Sequence, residues 1–128
     1  KKDIPGFVGN RLQHALKREA IALIASGVCD ADTIDEVVKS GFGARMAVLG
    51  PMEQIDLVGV DLTLDIQNTL LADLDRSTEP TQLIKDKVAA GKLGMRTGEG
   101  FRKWTPQSAD AVRVRLRNFL AEQAKAKS

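Results

Sequence analysis

The fold of this chain is decided near its beginning, by the stretch Pro5-Gly6-Phe7-Val8-Gly9-Asn10-Arg11-Leu12. Proline followed by glycine marks a turn, so the pattern predicts that a long amphipathic helix opens at about Phe7. Asn10 and Arg11 would then lie in the first turns of that helix, where free backbone N–H groups meet the positive end of the helix dipole. A buried helix start with an amide side chain beside it suits a small anionic or carbonyl-bearing ligand. It suits equally a helix that simply enters a core.

The remaining helices are predicted from the same kind of signal, glycine and proline residues that mark turns. Apolar side chains recur at helical spacing between glycine and proline turns, and no segment alternates apolar and polar residues as a strand does. The predicted helices are residues 7–26, a second with Asp30 as N-cap, a third from Gly50-Pro51, a fourth from Val60 to about Leu74, a fifth after Thr81 and a last one after Thr105-Pro106. The tail from Gln123 is expected to fray. The predicted fold class is all-α, a single helical domain of five or six helices.

Composition and charge are those of an ordinary globular domain. The 128 residues are enough for one domain, and a net charge of +2 gives no indication of nucleic acid or a membrane as partner. The single cysteine, Cys29, excludes an internal disulfide and favours a reducing, cytoplasmic setting with a packed thiol. No apolar run is long enough to cross a bilayer, and no signal peptide is recognisable. Because the chain begins without methionine, we expect it to be a piece of a longer protein.

Few side chains outside the opening stretch offer chemistry. His14 is the only histidine and has no carboxylate or nucleophile at a recognisable spacing, so we interpret it as an exposed helix residue. One histidine and one cysteine cannot build a zinc site, and no metal site is predicted. Arg45 lies in the otherwise apolar loop 44–49 and is either a solvated charge or an anion ligand. The glycine-rich loop 94–101 is weak as a phosphate cradle and better as a structural turn.

Five blocks of sequence form a pattern that is specific only when they are taken together. They are Asp3-Ile4-Pro5-Gly6-Phe7-Val8-Gly9-Asn10-Arg11-Leu12, Glu19-Ala20, Gly41-Phe42-Gly43, Gly50-Pro51-Met52-Glu53 with Asp56-Leu57-Val58-Gly59-Val60-Asp61, and residues 92–101. In order and spacing they resemble the C-terminal domain of the 3-hydroxyacyl-CoA dehydrogenase family. The resemblance implies a helical fold similar to the C-terminal domain of 6-phosphogluconate dehydrogenase. Residues 1–105 would form the family domain, and residues 106–128 an additional C-terminal helix and frayed tail of the same domain.

The resemblance implies half of an NAD-dependent oxidoreductase. An N-terminal Rossmann domain would bind NAD and carry the general base, while the helical domain closes the substrate cleft and forms a homodimer. The implied reaction oxidises a 3-hydroxyl to a 3-keto group on a small hydroxyacyl substrate, as in 3-hydroxybutyryl-CoA dehydrogenase and fatty acid metabolism. This chain has no Gly-x-Gly-x-x-Gly after a strand, so we expect no cofactor-binding residues and no activity in this chain alone.

Asn10 is the residue to which the resemblance gives a catalytic and substrate-binding role. The asparagine of the Pro-Gly-Phe-x-x-Asn-Arg motif is expected to hydrogen-bond near the reacting oxygen and to orient the catalytic histidine of the other domain. An amide can donate to a developing oxyanion without giving up a proton. The alternative is that Asn10 only braces the helix entrance. Arg11 is expected to tie the two domains, or neighbouring carbonyls, together.

The loop 44–49 is longer than the Pro-Met link usual at this point of the family pattern. In this respect the chain is similar to members that oxidise hydroxy acids not joined to coenzyme A, such as gulonate or carnitine dehydrogenases. Arg45 would then bind a free substrate carboxylate. Two other functions are alternatives. A purely structural dimerisation module suits the apolar edge 62–74, whereas a nucleic-acid binder is disfavoured by the balanced charge.

Overall fold

The computed structural model describes residues 4–126 as helices joined by short turns. Six α-helices follow one another along this part of the chain: α1 Ile4–Ala25, α2 Ala31–Ser40, α3 Pro51–Val58, α4 Val60–Leu70, α5 Gln82–Ala89 and α6 Pro106–Ala126. Three 3-10 turns lie between them, at Phe42–Arg45, Leu71–Asp73 and Met95–Thr97. Residues 4–126 contain no β-strand, only isolated bridges that pair Glu99 with Gly94 and with Lys103. The predicted all-α fold is confirmed.

The chain divides into two units, Lys1–Thr81 with α1 to α4 and Gln82–Ser128 with α5 and α6. The stretch around Asn10 and the loop around Arg45 both belong to the first unit. The predicted extent of the family domain, residues 1–105 followed by a helix and tail over 106–128, stays a prediction. The helix α6 continues to Ala126, beyond Gln123 where fraying was expected to begin, and residues 127 and 128 lie outside the described part.

The start of α1 differs from the prediction. The helix begins at Ile4 and not at Phe7, because proline is tolerated in a first turn, where its missing N–H group has no partner to lose. Asn10 is therefore the seventh residue of α1, and its backbone N–H lies inside the helical hydrogen-bond ladder. Its side chain is exposed. The prediction that Asn10 and Arg11 flank free N–H groups is wrong.

The boundaries of α2 and α3 follow local chemistry. Asp30 caps α2, since its Oδ1 accepts a hydrogen bond of 2.8 Å from the Thr33 backbone N–H. Pro51 occupies the first position of α3, as predicted. Glu53 folds back so that its Oε1 accepts from the backbone N–H of Gly50 at 2.8 Å. Both predicted helix starts are confirmed.

A single residue, Gly59, joins α3 to α4. Its φ of 113° lies in the region that side chains avoid, and its carbonyl accepts from the backbone N–H of Thr63 at 3.1 Å. The chain can therefore change direction between the two helices without a longer loop. Regular α-helix ends at Leu70, and the 3-10 turn Leu71–Asp73 carries the chain on to Leu74, so the predicted fourth helix is shorter than its apolar pattern.

Apolar side chains remain largely uncovered in this structure. Among the residues whose burial is described, Ala109 is the one hydrophobic residue that is fully buried. The α4 side chains Leu62, Leu64 and Ile66 are 46%, 59% and 49% exposed. A helix that is apolar on several sides normally packs on several sides. The helices are therefore formed by local interactions, while much of their apolar surface stays exposed to solvent among the residues that the structure describes.

The first prediction concerns the link between α3 and α4. Gly59→Ala should lower the free energy of unfolding by about 1 to 3 kcal/mol, because alanine is strained at a positive φ. Gly9→Ala is the matched control: Gly9 lies inside α1, and a Cβ there meets nothing within 4 Å. Since alanine is the better helix former, the control should be unchanged or up to about 1 kcal/mol more stable. Urea unfolding of the 128-residue chain measures the free energy of unfolding of both variants. Equal changes in the two variants would contradict the backbone strain assigned to position 59.

Candidate functional site

The first unit contains an open groove of about 490 Å³. The 3-10 turn Phe42–Arg45, the loop after it, α3, α4 and the turn to Leu74 enclose it. Most lining side chains are apolar, and the polar ones are Arg45, Gln54, Thr63 and Gln67. A mostly apolar cleft with a few polar groups is the usual form of a small-molecule site.

Glycines shape the wall of the groove that carries Arg45. A Cβ on Gly43 would lie 2.5 Å from the carbonyl oxygen of Val38, so only glycine allows the chain to fold this tightly against the end of α2. The loop then coils further, because the carbonyl of Arg45 accepts from the backbone N–H groups of Val48 and Leu49 at 3.1 and 2.9 Å. The loop 44–49 is thus compact and ordered by its own backbone.

Arg45 brings a positive charge to this groove. Arg45 is exposed, and its guanidinium forms no ion pair with another residue of the range 4–126. A guanidinium offers a planar fork of donors that matches a carboxylate in geometry. The sequence left two interpretations of Arg45, a solvated charge and an anion ligand. The position of Arg45 on the groove wall is compatible with both and makes binding of an anion chemically feasible.

Asn10 lies elsewhere in the unit. It is exposed near the middle of α1, its side chain makes no hydrogen bond to the described residues, and it does not line the groove of Arg45. The neighbouring Arg11 lies over the ring of Phe7, with 5.8 Å between its Cζ and the ring centroid. The structure therefore does not bring Asn10 and Arg45 together in one pocket of this chain. His14, one turn beyond Asn10, is exposed as predicted.

A polar cluster that the sequence analysis did not identify joins α1 to the segment after α4. Glu19 Oε1 accepts from the backbone N–H of Asp75 at 2.8 Å, and Arg18 Nη1 donates to the carbonyl oxygen of Ser77 at 3.2 Å. These residues are more than 50 positions apart in the chain, so no periodicity connects them. The block Glu19-Ala20 was part of the family resemblance, but nothing in the sequence indicated its partner.

The glycine-rich loop of the second unit is a structural turn. Its backbone donors are used within the loop: Gly94 N–H donates to Glu99, Gly98 N–H to Met95 and Gly100 N–H to Arg102. Amides that are already paired cannot cradle a phosphate. Lys87 Nζ donates to the Gly100 carbonyl at 3.0 Å and lies 5.0 Å from the centroid of the Phe101 ring. The prediction of a structural turn is confirmed.

The part of the chain that the structure describes has neither a metal-ligand cluster nor a membrane-spanning helix. No three side chains of His, Cys, Asp or Glu lie together as metal ligands within residues 4–126. In the same range, no helix has both the length and the apolar composition that crossing a membrane requires.

Comparison with known proteins finds a family match. The family described as 3-hydroxyacyl-CoA dehydrogenase, C-terminal domain, matches residues 6–104. The 5-formyl-3-hydroxy-2-methylpyridine 4-carboxylate 5-dehydrogenase of Mesorhizobium japonicum is 38% identical over 122 residues, which are 94% of this chain and 40% of that protein. A probable 3-hydroxybutyryl-CoA dehydrogenase of Deinococcus radiodurans is 38% identical over 103 residues, 80% of this chain and 36% of that protein.

The fold is also that of a solved structure. A crystal structure of 5-formyl-3-hydroxy-2-methylpyridine 4-carboxylic acid 5-dehydrogenase, described as an NAD⁺ dependent dismutase, matches with a TM-score of 0.87 at 37% identity. The match covers 94% of this chain and 40% of that one. The chain thus spans no more than 40% of the length of these three proteins.

Proposed function

The chain belongs to the 3-hydroxyacyl-CoA dehydrogenase family, whose C-terminal domain it matches, and we propose that it forms the substrate side of an NAD-dependent dehydrogenase. The match over residues 6–104 carries this proposal. The enzyme would oxidise a hydroxyl group to a carbonyl. Because the chain spans only part of its relatives, the remaining machinery would lie in a further domain, which we propose to be an N-terminal Rossmann domain.

NAD is the cofactor that this proposal requires, and when bound it supplies the hydride chemistry. The described residues of this chain do not fit it: the amides of the glycine-rich loop are paired internally, and no parallel strand precedes that loop. We therefore assign NAD binding to the other domain. Residues 1–128 alone should be inactive.

Asn10 is the residue of this chain that we propose to act on the reacting oxygen. Its amide is exposed and makes no hydrogen bond to the described residues, so its donors are available to a substrate or to the other domain. A preorganised amide that donates to a developing negative charge stabilises the transition state more than the ground state. The exposure of the surrounding α1 surface supports the proposal, because that surface is left to be covered by the missing part of the enzyme.

For the substrate we propose an alcohol or carbonyl compound that carries a free carboxylate. Arg45 lies on the wall of an apolar groove with no ion-pair partner in the described chain, which suits a carboxylate joined to an apolar body. The relative that matches 94% of this chain is named for a pyridine carboxylate, whereas the 3-hydroxybutyryl-CoA relative matches 80%. The alternative is a 3-hydroxyacyl-CoA thioester, in which the carboxyl group is esterified and is not a free carboxylate for Arg45.

We also propose that the domain forms a homodimer through α4. Its side chains Leu62 and Leu64 are about half exposed and do not line the groove, so the groove does not account for them. Burial against a second copy would remove this apolar surface from water. If the chain has no role in the reaction, this association is the remaining function, as a structural dimerisation module.

The role of Asn10 is tested by kinetics of the full-length dehydrogenase. Asn10→Ala should lower kcat by about a hundredfold to a thousandfold, as expected when one oxyanion donor is lost. Gln13→Ala removes another amide, one turn further along α1, and should leave kcat within a factor of about two. An Asn10→Ala enzyme with the parental kcat would reduce Asn10 to a brace of the helix.

The role of Arg45 is tested by comparing two substrates, 3-hydroxybutyrate and 3-hydroxybutyryl-CoA. Arg45→Ala should raise KM for the free acid at least about tenfold, a loss of roughly 1.4 kcal/mol, because the carboxylate loses its partner. KM for the thioester should not change. Lys39→Ala removes an exposed cation of α2 and serves as the control. An unchanged KM for the free acid would remove Arg45 from the site.

Dimerisation is tested by sedimentation of the 128-residue chain. The chain should sediment as a dimer at high concentration, and Leu64→Glu should convert it to a monomer because it places a charge in the buried interface. Val48→Glu changes an even more exposed apolar residue outside α4 and should leave the dimer intact. A parental chain that is strictly monomeric would contradict the interface.

A further inference from the structure

Four residues fasten α1 to the segment that follows α4, and we call them the α1 clamp: Arg18, Glu19, Asp75 and Ser77. Besides the two hydrogen bonds already given, Arg18 Nε lies 3.7 Å from Asp75 Oδ2. The same Asp75 oxygen accepts from the hydroxyl of Ser77 and, at 3.2 Å, from the Ser77 backbone N–H. Both segments are therefore held by interlocked polar contacts and not by a single bond.

The clamp lies where α1 changes its surroundings. Residues 6–18 are all exposed, whereas residues 19–24 are half-buried. The helix is thus supported within the first unit only from Glu19 onward, and the half that carries Asn10 extends beyond that support. Glu19 is the first residue of the supported half and also the acceptor of the short hydrogen bond from Asp75.

In this arrangement, a small change in the direction of α1 at the clamp displaces Asn10. Glu19 follows Asn10 by nine positions, which in an α-helix correspond to about 14 Å along the axis. A tilt of α1 by about 5° at the clamp would move Asn10 by about 1 Å. A displacement of that size at a reacting group can slow a reaction by about a hundredfold.

We propose that the α1 clamp, through Glu19, is a positioning device that sets the direction of α1 and with it the place of the Asn10 amide. The inference rests on the proposed function of Asn10. Glu19 touches no reacting group and acts only through the helix. The Glu19–Asp75 hydrogen bond is part-buried and the Arg18–Ser77 hydrogen bond is exposed. Each contributes only a small part of the stability of a folded domain, so the loss of one redirects α1 without unfolding the domain.

The kinetic test compares Glu19→Ala with Glu19→Gln in the full-length dehydrogenase. Glu19→Ala should lower kcat at least about tenfold and change KM less than about twofold, since Asn10 is displaced and Glu19 itself does not line the groove. Glu19→Gln keeps an oxygen that accepts from Asp75 and should restore kcat to within about threefold. Glu79→Ala, an exposed glutamate outside the clamp, should have the parental kcat. Equal losses in the alanine and glutamine variants would overturn the proposal.

A double-mutant cycle shows whether Glu19 acts through Asn10. In the Asn10→Ala background, Glu19→Ala should reduce kcat by less than about twofold further, because no amide remains to be misplaced. Additive losses would mean that Glu19 acts by another route and would overturn the proposal. If Glu19→Ala unfolds, Arg18→Ala, which removes the other half of the clamp, is measured in its place. A parental kcat in Arg18→Ala would then exclude the positioning role.

A distance measurement separates this inference from the proposed function. Spin labels on Gln13→Cys and Lys39→Cys, in a Cys29→Ser chain of 128 residues, report the direction of α1 relative to α2 without any assay of activity. Glu19→Ala should broaden or shift the distance distribution, and Glu19→Gln should not. An unchanged distance distribution in the Glu19→Ala chain would overturn the proposal that Glu19 sets the direction of α1. A changed distribution together with a fully active Asn10→Ala enzyme would instead show that the function assigned to Asn10 has failed.

Discussion

The shortage of apolar burial within the chain governs the rest of the structure. Helices form because their hydrogen bonds and caps are local, but their apolar faces find few partners among the described residues, where Ala109 is the one fully buried hydrophobic residue. Burial of apolar surface is the main source of stability in a folded domain. The exposed apolar faces of α1 and α4 are the surfaces that the proposed further domain and second copy would cover, and the chain spans 40% of the length of one relative.

Because few apolar side chains are buried, specific polar contacts and backbone geometry hold the segments in place. Gly43 lets the loop of Arg45 fold against the carbonyl of Val38, and Gly59 turns α3 into α4 in one residue. The α1 clamp joins residues more than 50 positions apart. Such contacts add little stability when they are exposed, but they define the direction of a helix, which is what the catalytic role proposed for the Asn10 amide would require.

The proposed function divides the chemistry between this chain and the domain that would accompany it. The described residues offer the Asn10 amide on α1, an apolar groove lined by Arg45 and the exposed apolar helix α4. The glycine-rich loop uses the backbone N–H groups of Gly94, Gly98 and Gly100 for hydrogen bonds within the loop, and the proposal therefore assigns nucleotide binding to the other domain. Asn10 and Arg45 are presented on different parts of the first unit, so the substrate cleft would be completed only when other surfaces close over them.

The sequence by itself determined the helical fold class, the caps at Asp30 and Pro51, the glycine turns and the family, because each of these depends on residues within a few positions of one another or on motifs in a fixed order. It misplaced the start of α1, since Pro5 can either precede a helix or occupy its first turn, and only packing decides between the two. Tertiary structure alone decided that Arg45 lines a groove that Asn10 does not, and that Glu19 meets Asp75. Contacts between distant residues depend on how helices are arranged in space, and no local pattern in the sequence encodes that arrangement.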